Sequence, residues 1–180
     1  MKLGMLAVAL GLCAAPAFAQ IGPSPYAGQD ARNIKALSDE DITSLLKGEG
    51  IGMAKAAELN GYPGPAHVLA LAAQLKLSKV QRRDVQTIFD RMRTRAVALG
   101  TEIVKRERTL DQYFLRREAT IPDVAAVTAK IASLQGQLRS VHLAAHIETR
   151  PLLNPEQLAR YRELRGYDVA PARAKHHHDG

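Results

Sequence analysis

The sequence predicts an all-α fold, a long antiparallel helical hairpin with short flanking helices. Two long stretches keep apolar residues at helical spacing, and only a short connection separates them. A phrase of Leu, a small polar residue, two spacers and Gln occurs twice, as Leu77-Ser78-Lys79-Val80-Gln81 and Leu153-Asn154-Pro155-Glu156-Gln157. No run of β-branched residues alternates with polar ones, so no strand is expected.

The chain divides into four parts. Residues 1–19 read as a signal peptide: Lys2, an apolar run from Leu3 to Ala15, and a small-x-small site at Ala17-Phe18-Ala19. The run is too short to span a bilayer. Cys13 is the only cysteine and leaves with this segment, so thiolate catalysis and cysteine-based metal sites are excluded from the mature chain. No later stretch is apolar enough to cross a membrane, and the expected product is soluble and exported. Residues 20–36, with Gly22, Pro23, Pro25 and Gly28, read as a flexible leader. Residues 37–166 form a single helical domain. Residues 167–180, with His176-His177-His178, read as a disordered tail.

Within the domain, Ser38-Asp39-Glu40-Asp41 starts a helix with acids in its first turn, and Gly48-Glu49-Gly50 stops it. A short Ala-rich helix is expected over about 53–59, closed by a left-handed cap at Asn60-Gly61. A compact apolar helix follows over 66–75. From Lys79 to about Arg117, Val85, Ile88, Met92, Ala96, Leu99, Ile103, Leu110 and Phe114 mark one face, and Gly100 is the only weak position. Pro122 restarts the chain. Val124, Val127, Ile131, Leu134, Leu138, Val141 and Ala145 then alternate by threes and fours, the pattern of a coiled-coil seam. The last helix runs from Pro155 to Arg165 and ends at Gly166.

Each repeated phrase has the chemistry of a capping box. Ser78 or Asn154 accepts from the N3 backbone N–H, and Gln81 or Gln157 reaches back to the cap's own N–H. Leu77 and Leu153 are placed as hydrophobic staples. Two such boxes, bracketing two long amphipathic helices behind a secretory signal, resemble the LTxxQ family of Spy/CpxP-like bacterial periplasmic proteins and its heavy-metal-sensor branch. The resemblance covers roughly 68–166. Ser78 and Asn154 stand where the family favours Thr, and both keep the capping chemistry.

Charge and composition narrow the function. Removing Lys2 lowers the formal charge from +7 to +6. Export argues against nucleic acid as the basic chain's partner and leaves anionic membrane surface, lipopolysaccharide or acidic polypeptide. There is no Trp, and aromatic residues make up 4% of the chain, so a wide aromatic cofactor pocket is not expected. A Gly-rich phosphate loop and a His-Glu-x-x-His motif are both missing, and no enzyme is indicated.

Two motifs remain as candidate sites. From Lys79 to Arg117, eleven Lys and Arg oppose five Asp and Glu, a balance of +6 dominated by Arg. Arg stacks on apolar groups and pairs with carboxylates, which suits adaptable contact with unfolded chains. Arg91, Arg93, Arg95, Lys105 and Arg106 are the candidate client-binding residues. The resemblance implies a homodimeric, positively charged cradle. It also implies either ATP-independent chaperoning of partly folded envelope proteins or docking on a membrane sensor kinase during envelope stress. The other motif is His142-Leu143-Ala144-Ala145-His146, two imidazoles at i and i+4 on one helical face. No cofactor is required, but with His67, Glu148 or an acid from a dimer mate the pair would take Zn²⁺, Cu²⁺ or Ni²⁺. In the metal-sensor branch a comparable pair precedes the second box, although the N-terminal His cluster of those proteins has no counterpart here.

Overall fold

The structure, a computed structural model, describes residues 22–167. The signal segment, Cys13 and the His176–His178 tail lie outside the described residues. The chain forms two units, divided after Ala31. In the first, a single 3-10 turn, Gln29–Ala31, is tied by the Gln29 side-chain amide donating to the Pro25 carbonyl at 3.2 Å.

The second unit carries six α-helices: α1 (Asp39–Lys47), α2 (Lys55–Glu58), α3 (Pro65–Ala70), α4 (Lys79–Leu115), α5 (Ile121–Thr149) and α6 (Pro155–Leu164). Apart from one isolated bridge between Ile34 and Leu37, the described residues contain no β-structure.

Helices α4 and α5 form the expected hairpin. Val85, Met92, Ala96 and Ile103 of α4 are buried, as are Val127, Ile131, Leu134, Leu138, Val141 and Ala145 of α5. Ile88, Leu99 and Leu110 are half-buried. Phe114 corrects the seam: it is 60% exposed. The helical face it marks continues past the last seam position that α5 covers, and the turn leaves nothing to pack on it.

Gly100 is not a weak position. There α1 crosses α4 so closely that a Cβ would lie 2.7 Å from the Leu45 carbonyl carbon. Only the missing side chain permits that approach. The segment before α1 also departs from expectation. Ile34 is fully buried with Leu45, Ala96, Ile103, Val104, Leu134 and Leu138, and the Lys35 amide donates to Asp111 at 3.1 Å. A single apolar anchor has no period, so periodicity could not reveal it.

Helix ends follow local chemistry. Ser38 and Asp41 form a third capping box. Thr120 accepts from the Asp123 amide at 3.3 Å, and Pro122 falls at the second helical position. Gly61, at φ 79°, closes α2 with both bonds of a Schellman motif, Gly61 to Glu58 at 3.3 Å and Tyr62 to Ala57 at 3.0 Å. Helix α3 stops at Ala70, five residues early. Turns follow it to Lys76, whose φ of 51° closes the same motif without a glycine.

Candidate functional site

The two repeated phrases meet. Ser78 accepts from the Gln81 amide at 3.1 Å and Asn154 from the Gln157 amide at 2.8 Å. Each Gln carbonyl oxygen accepts from its own cap residue's amide at 3.0 Å. The side-chain amides of Gln81 and Gln157 then donate to each other's oxygens at 2.8 and 3.2 Å, and to the Leu152 and Leu75 carbonyls. Gln at N3 thus joins the starts of α4 and α6 as well as capping each. Leu153 is buried and Leu77 half-buried, both in the apolar cluster around Tyr161.

The His pair lies on the buried face of α5. His142 is 4% exposed and His146 is 9% exposed. Both line a cleft of about 370 Å³, with His67, Lys47, Arg93, Phe89, Met92 and the backbone of Gly48, Gly50 and Gly64. His146 Nδ1 lies 2.7 Å from the Tyr62 carbonyl, which can only accept, so this nitrogen carries the proton. In the neutral ring Nε2 then keeps its lone pair. Gly64 packs over that edge, and a Cβ there would come within 2.9 Å of Nε2. His142 Nε2 is buried with no hydrogen-bond partner. Burial, and then the neighbouring His146, hold the His142 imidazole below its usual pKa.

Glu58 organises the rear of the cleft. Its Oε1 accepts from the Tyr161 and Tyr167 hydroxyls at 2.5 and 2.8 Å. Arg165 Nε lies 3.4 Å and His67 Nδ1 3.7 Å from the same oxygen. Its Oε2 accepts from the Gly64 amide at 3.1 Å and lies 3.6 Å from His146 Nδ1. Burial pushes the carboxyl up, but these donors and the His67 charge outweigh it and hold Glu58 below its ordinary value. Burial and the same carboxylate push the Tyr161 phenol up. Burial and Arg165 hold His67 down, against the pull of Glu58.

This network unites α2, the start of α3, α5 and α6, and three of its members escaped the sequence reading. Glu58 sat in an Ala-rich piece, Arg165 only marked the end of α6, and Tyr167 fell in the tail. The usable signal was Tyr161: a phenol on an apolar helical face needs a buried partner. Among the described residues, no group of three or more His, Cys, Asp or Glu is assembled to hold a metal ion. Glu148 does not join the His pair. It forms an ion pair with Arg91 on the other flank of α5.

The five candidate client-binding cations do not share one surface. At 100° per residue, Arg91, Arg95, Lys105 and Arg106 fall within an arc of about 100°. Arg93 lies on the opposite flank and lines the His cleft. Arg91 and Arg95 border an outer groove floored by Ile88, Met92, Val141 and Ala144. The groove continues along α5 past Ser133, Gly136, Gln137 and Ser140. Lys105 is exposed, while Arg106 pairs with Glu102 at 3.5 Å.

No family model, curated protein or solved structure matches the chain.

Proposed function

We propose that the protein is a periplasmic, ATP-independent chaperone or envelope-stress accessory protein. It holds partly unfolded clients in the outer groove of the α4–α5 hairpin, and it is not an enzyme. The observation that carries this reading is the groove itself. Exposed Arg95 and Arg91, the latter paired with Glu148, stand along a groove between α4 and α5 formed by half-buried Ile88 and exposed Ala144 over the buried Met92 and Val141. Guanidinium groups beside apolar side chains attract acidic or unfolded segments at long range and hold them weakly at contact. Small exposed residues along α5 (Ala129, Ser133, Gly136, Ser140 and Ala144) offer a flat face for a second copy, so the working unit is a homodimer. Docking on a membrane sensor protein would use the same cationic surface. Nucleic acid is no partner in this reading. No described helix is long and apolar enough to cross a membrane.

The test is light scattering from a reduced, aggregating client, with the mature protein added and no nucleotide. Protection at stoichiometric ratios that weakens as salt rises supports the reading, because exposed charges are screened beyond about 8–10 Å at physiological salt. No protection at any salt concentration overturns it.

A second reading, metal binding or sensing through His142, His146 and His67, rests on the unpartnered His142 nitrogen and the fixed tautomer of His146. Backbone hydrogen bonding of the other ring nitrogen is how ligand imidazoles are oriented. A complete site needs a further ligand from a dimer mate or from movement of His67. Calorimetry with Zn²⁺, Cu²⁺ and Ni²⁺ on protein lacking residues 168–180, compared with its His142→Ala/His146→Ala variant, decides this reading. Equal heats remove it.

A further inference from the structure

The hairpin apex carries apolar side chains that nothing among the described residues covers. Residues 114–123 are all exposed. Among them Phe114 is 60%, Leu115 71% and Ile121 88% exposed. A loose loop could hide such residues by collapsing onto the helices, but this turn is pinned at both ends. Arg117, at φ 59°, closes α4 with Schellman bonds, Arg117 to Phe114 at 3.1 Å and Glu118 to Tyr113 at 2.9 Å. Thr120 caps α5, and its hydroxyl donates to Asp123 at 2.5 Å. A Schellman motif frequently carries an apolar residue at the position Glu118 occupies, packed on C3, here Tyr113, so the polar Glu118 adds no cover to the turn. Phe114 and Leu115, on the positions beyond Tyr113, are bare.

The charge around the apex is also specific. Arg116 and Arg117 flank the apolar trio, and Lys105, Arg108 and Lys130 follow down the two helices; all five are exposed. Glu118 and Asp123 oppose the apical arginines, Asp123 while accepting from Thr120, and Asp111 accepts from the Lys35 amide; burial pushes the Glu107 carboxyl up. The five exposed cations outnumber these four acids.

We propose that this apex inserts into an anionic bilayer surface, with Phe114, Leu115 and Ile121 entering the interface while Arg116 and Arg117 bind lipid phosphates. The shape favours lipid over a folded partner. A convex apex has no groove to receive a peptide, whereas a lipid interface adapts to three protruding side chains and takes amphipathic structure to a depth of about 5–10 Å. Arg pairs with phosphate through two parallel hydrogen bonds. Binding would be peripheral, since no described helix can span the bilayer. Apart from Lys105, which both share, this surface is separate from the client groove, and the inference stands whether or not that reading holds.

The chain has no Trp, so a single introduced Trp reports its own surroundings. Phe114→Trp should blue-shift and gain quenching by lipid-borne bromines on vesicles of equal parts phosphatidylcholine and phosphatidylglycerol. Val80→Trp, exposed at the far end of α4, should do neither. In co-sedimentation, the wild type should prefer these vesicles to pure phosphatidylcholine. Phe114→Ser/Leu115→Ser/Ile121→Ser should lower partitioning at least about tenfold, since three apolar side chains lose their burial. Arg116→Gln/Arg117→Gln should abolish the preference for anionic lipid. All substituted side chains are exposed, and unchanged circular dichroism would confirm that the fold is kept. Three results overturn the proposal: no sedimentation of the wild type with anionic vesicles, equal sedimentation of the triple-Ser variant, or loss of client protection by that variant with no vesicle binding by the wild type. The last would make the apex a protein contact.

Discussion

Gly100→Ala and Gly136→Ala place the same methyl group in two long helices, and the structure predicts opposite signs. Replacing an interior helical Gly by Ala is worth about 1 kcal/mol on propensity alone. At Gly136 a new Cβ meets nothing within 4 Å, so the gain should appear undiminished, raising Tm by roughly 2–4 °C. At Gly100 the new Cβ would lie 2.7 Å from the Leu45 carbonyl carbon and 3.2 Å from its Cα. Ordinary contact is about 3.5–4.0 Å, so α1 must withdraw by roughly 1 Å. Overpacking costs about 1–3 kcal/mol, and backbone against backbone has no rotamer to relieve it. That lack of relief puts the cost at the upper end of the range, about 2–3 kcal/mol, so subtracting the propensity gain leaves a net loss of about 1–2 kcal/mol, or a fall of about 2–8 °C in Tm. The withdrawal would also shift Lys47, Gly48 and Gly50, one wall of the His cleft. Urea and thermal melts on the two variants and the wild type test this. Gly100→Ala at least as stable as wild type, or Gly136→Ala less stable, would refute the close-approach argument.

Other consequences follow from the polar clusters. Glu58 is depressed in the folded state, so its stabilisation is full above the unfolded carboxyl value near 4.5 and is lost as pH falls through its folded pKa. Glu58→Gln should cost about 1.5–3 kcal/mol at pH 7 and flatten the acid limb of stability below pH 4.5, read from melts across pH. His142 and His67 are also depressed, so their protonation opposes folding and stability begins to fall below about pH 6.5; His142→Gln should reduce that upper part of the loss and leave the share of His67. Glu107 has the opposite sign: burial raises its pKa, so its charge costs stability at high pH. Glu107→Gln should therefore raise Tm more at pH 8 than at pH 5. Gln81→Ala and Gln157→Ala should each destabilise, with a coupling of about 1 kcal/mol in a double-mutant cycle; strict additivity would mean that the paired amides contribute nothing jointly.

Much of this architecture was legible because helices announce themselves locally. The seam of α5 repeats by threes and fours, and Ser78, Asn154 and Ser38 mark helix starts by side-chain chemistry that needs no distant partner. What stayed hidden depends on contacts between segments far apart in sequence. Gly100 looks like a defect until α1 is laid across it. Gln81 and Gln157 look like two independent caps until their amides meet 76 residues apart in the chain. Glu58 lies 103 residues before the Tyr161 that fills its oxygen. The His pair was located by its i, i+4 spacing, but spacing could not say that the ring edges face glycine backbone rather than solvent. The basic stripe was counted correctly and placed too simply, because a count along one helix ignores the turn that sends Arg93 away from Arg91 and Arg95.

That division of the arginines supplies the most direct test of the chaperone reading. Arg91→Glu/Arg95→Glu/Lys105→Glu reverses the groove flank, and Arg93→Glu reverses a cation on the cleft side; Glu keeps helix propensity in both. Client aggregation should be followed by light scattering at low and physiological salt, with circular dichroism confirming equal helix content. The account predicts that the triple variant loses most of the protection and its salt dependence, while Arg93→Glu behaves as wild type. Equal protection by the triple variant, or loss in Arg93→Glu alone, would contradict it.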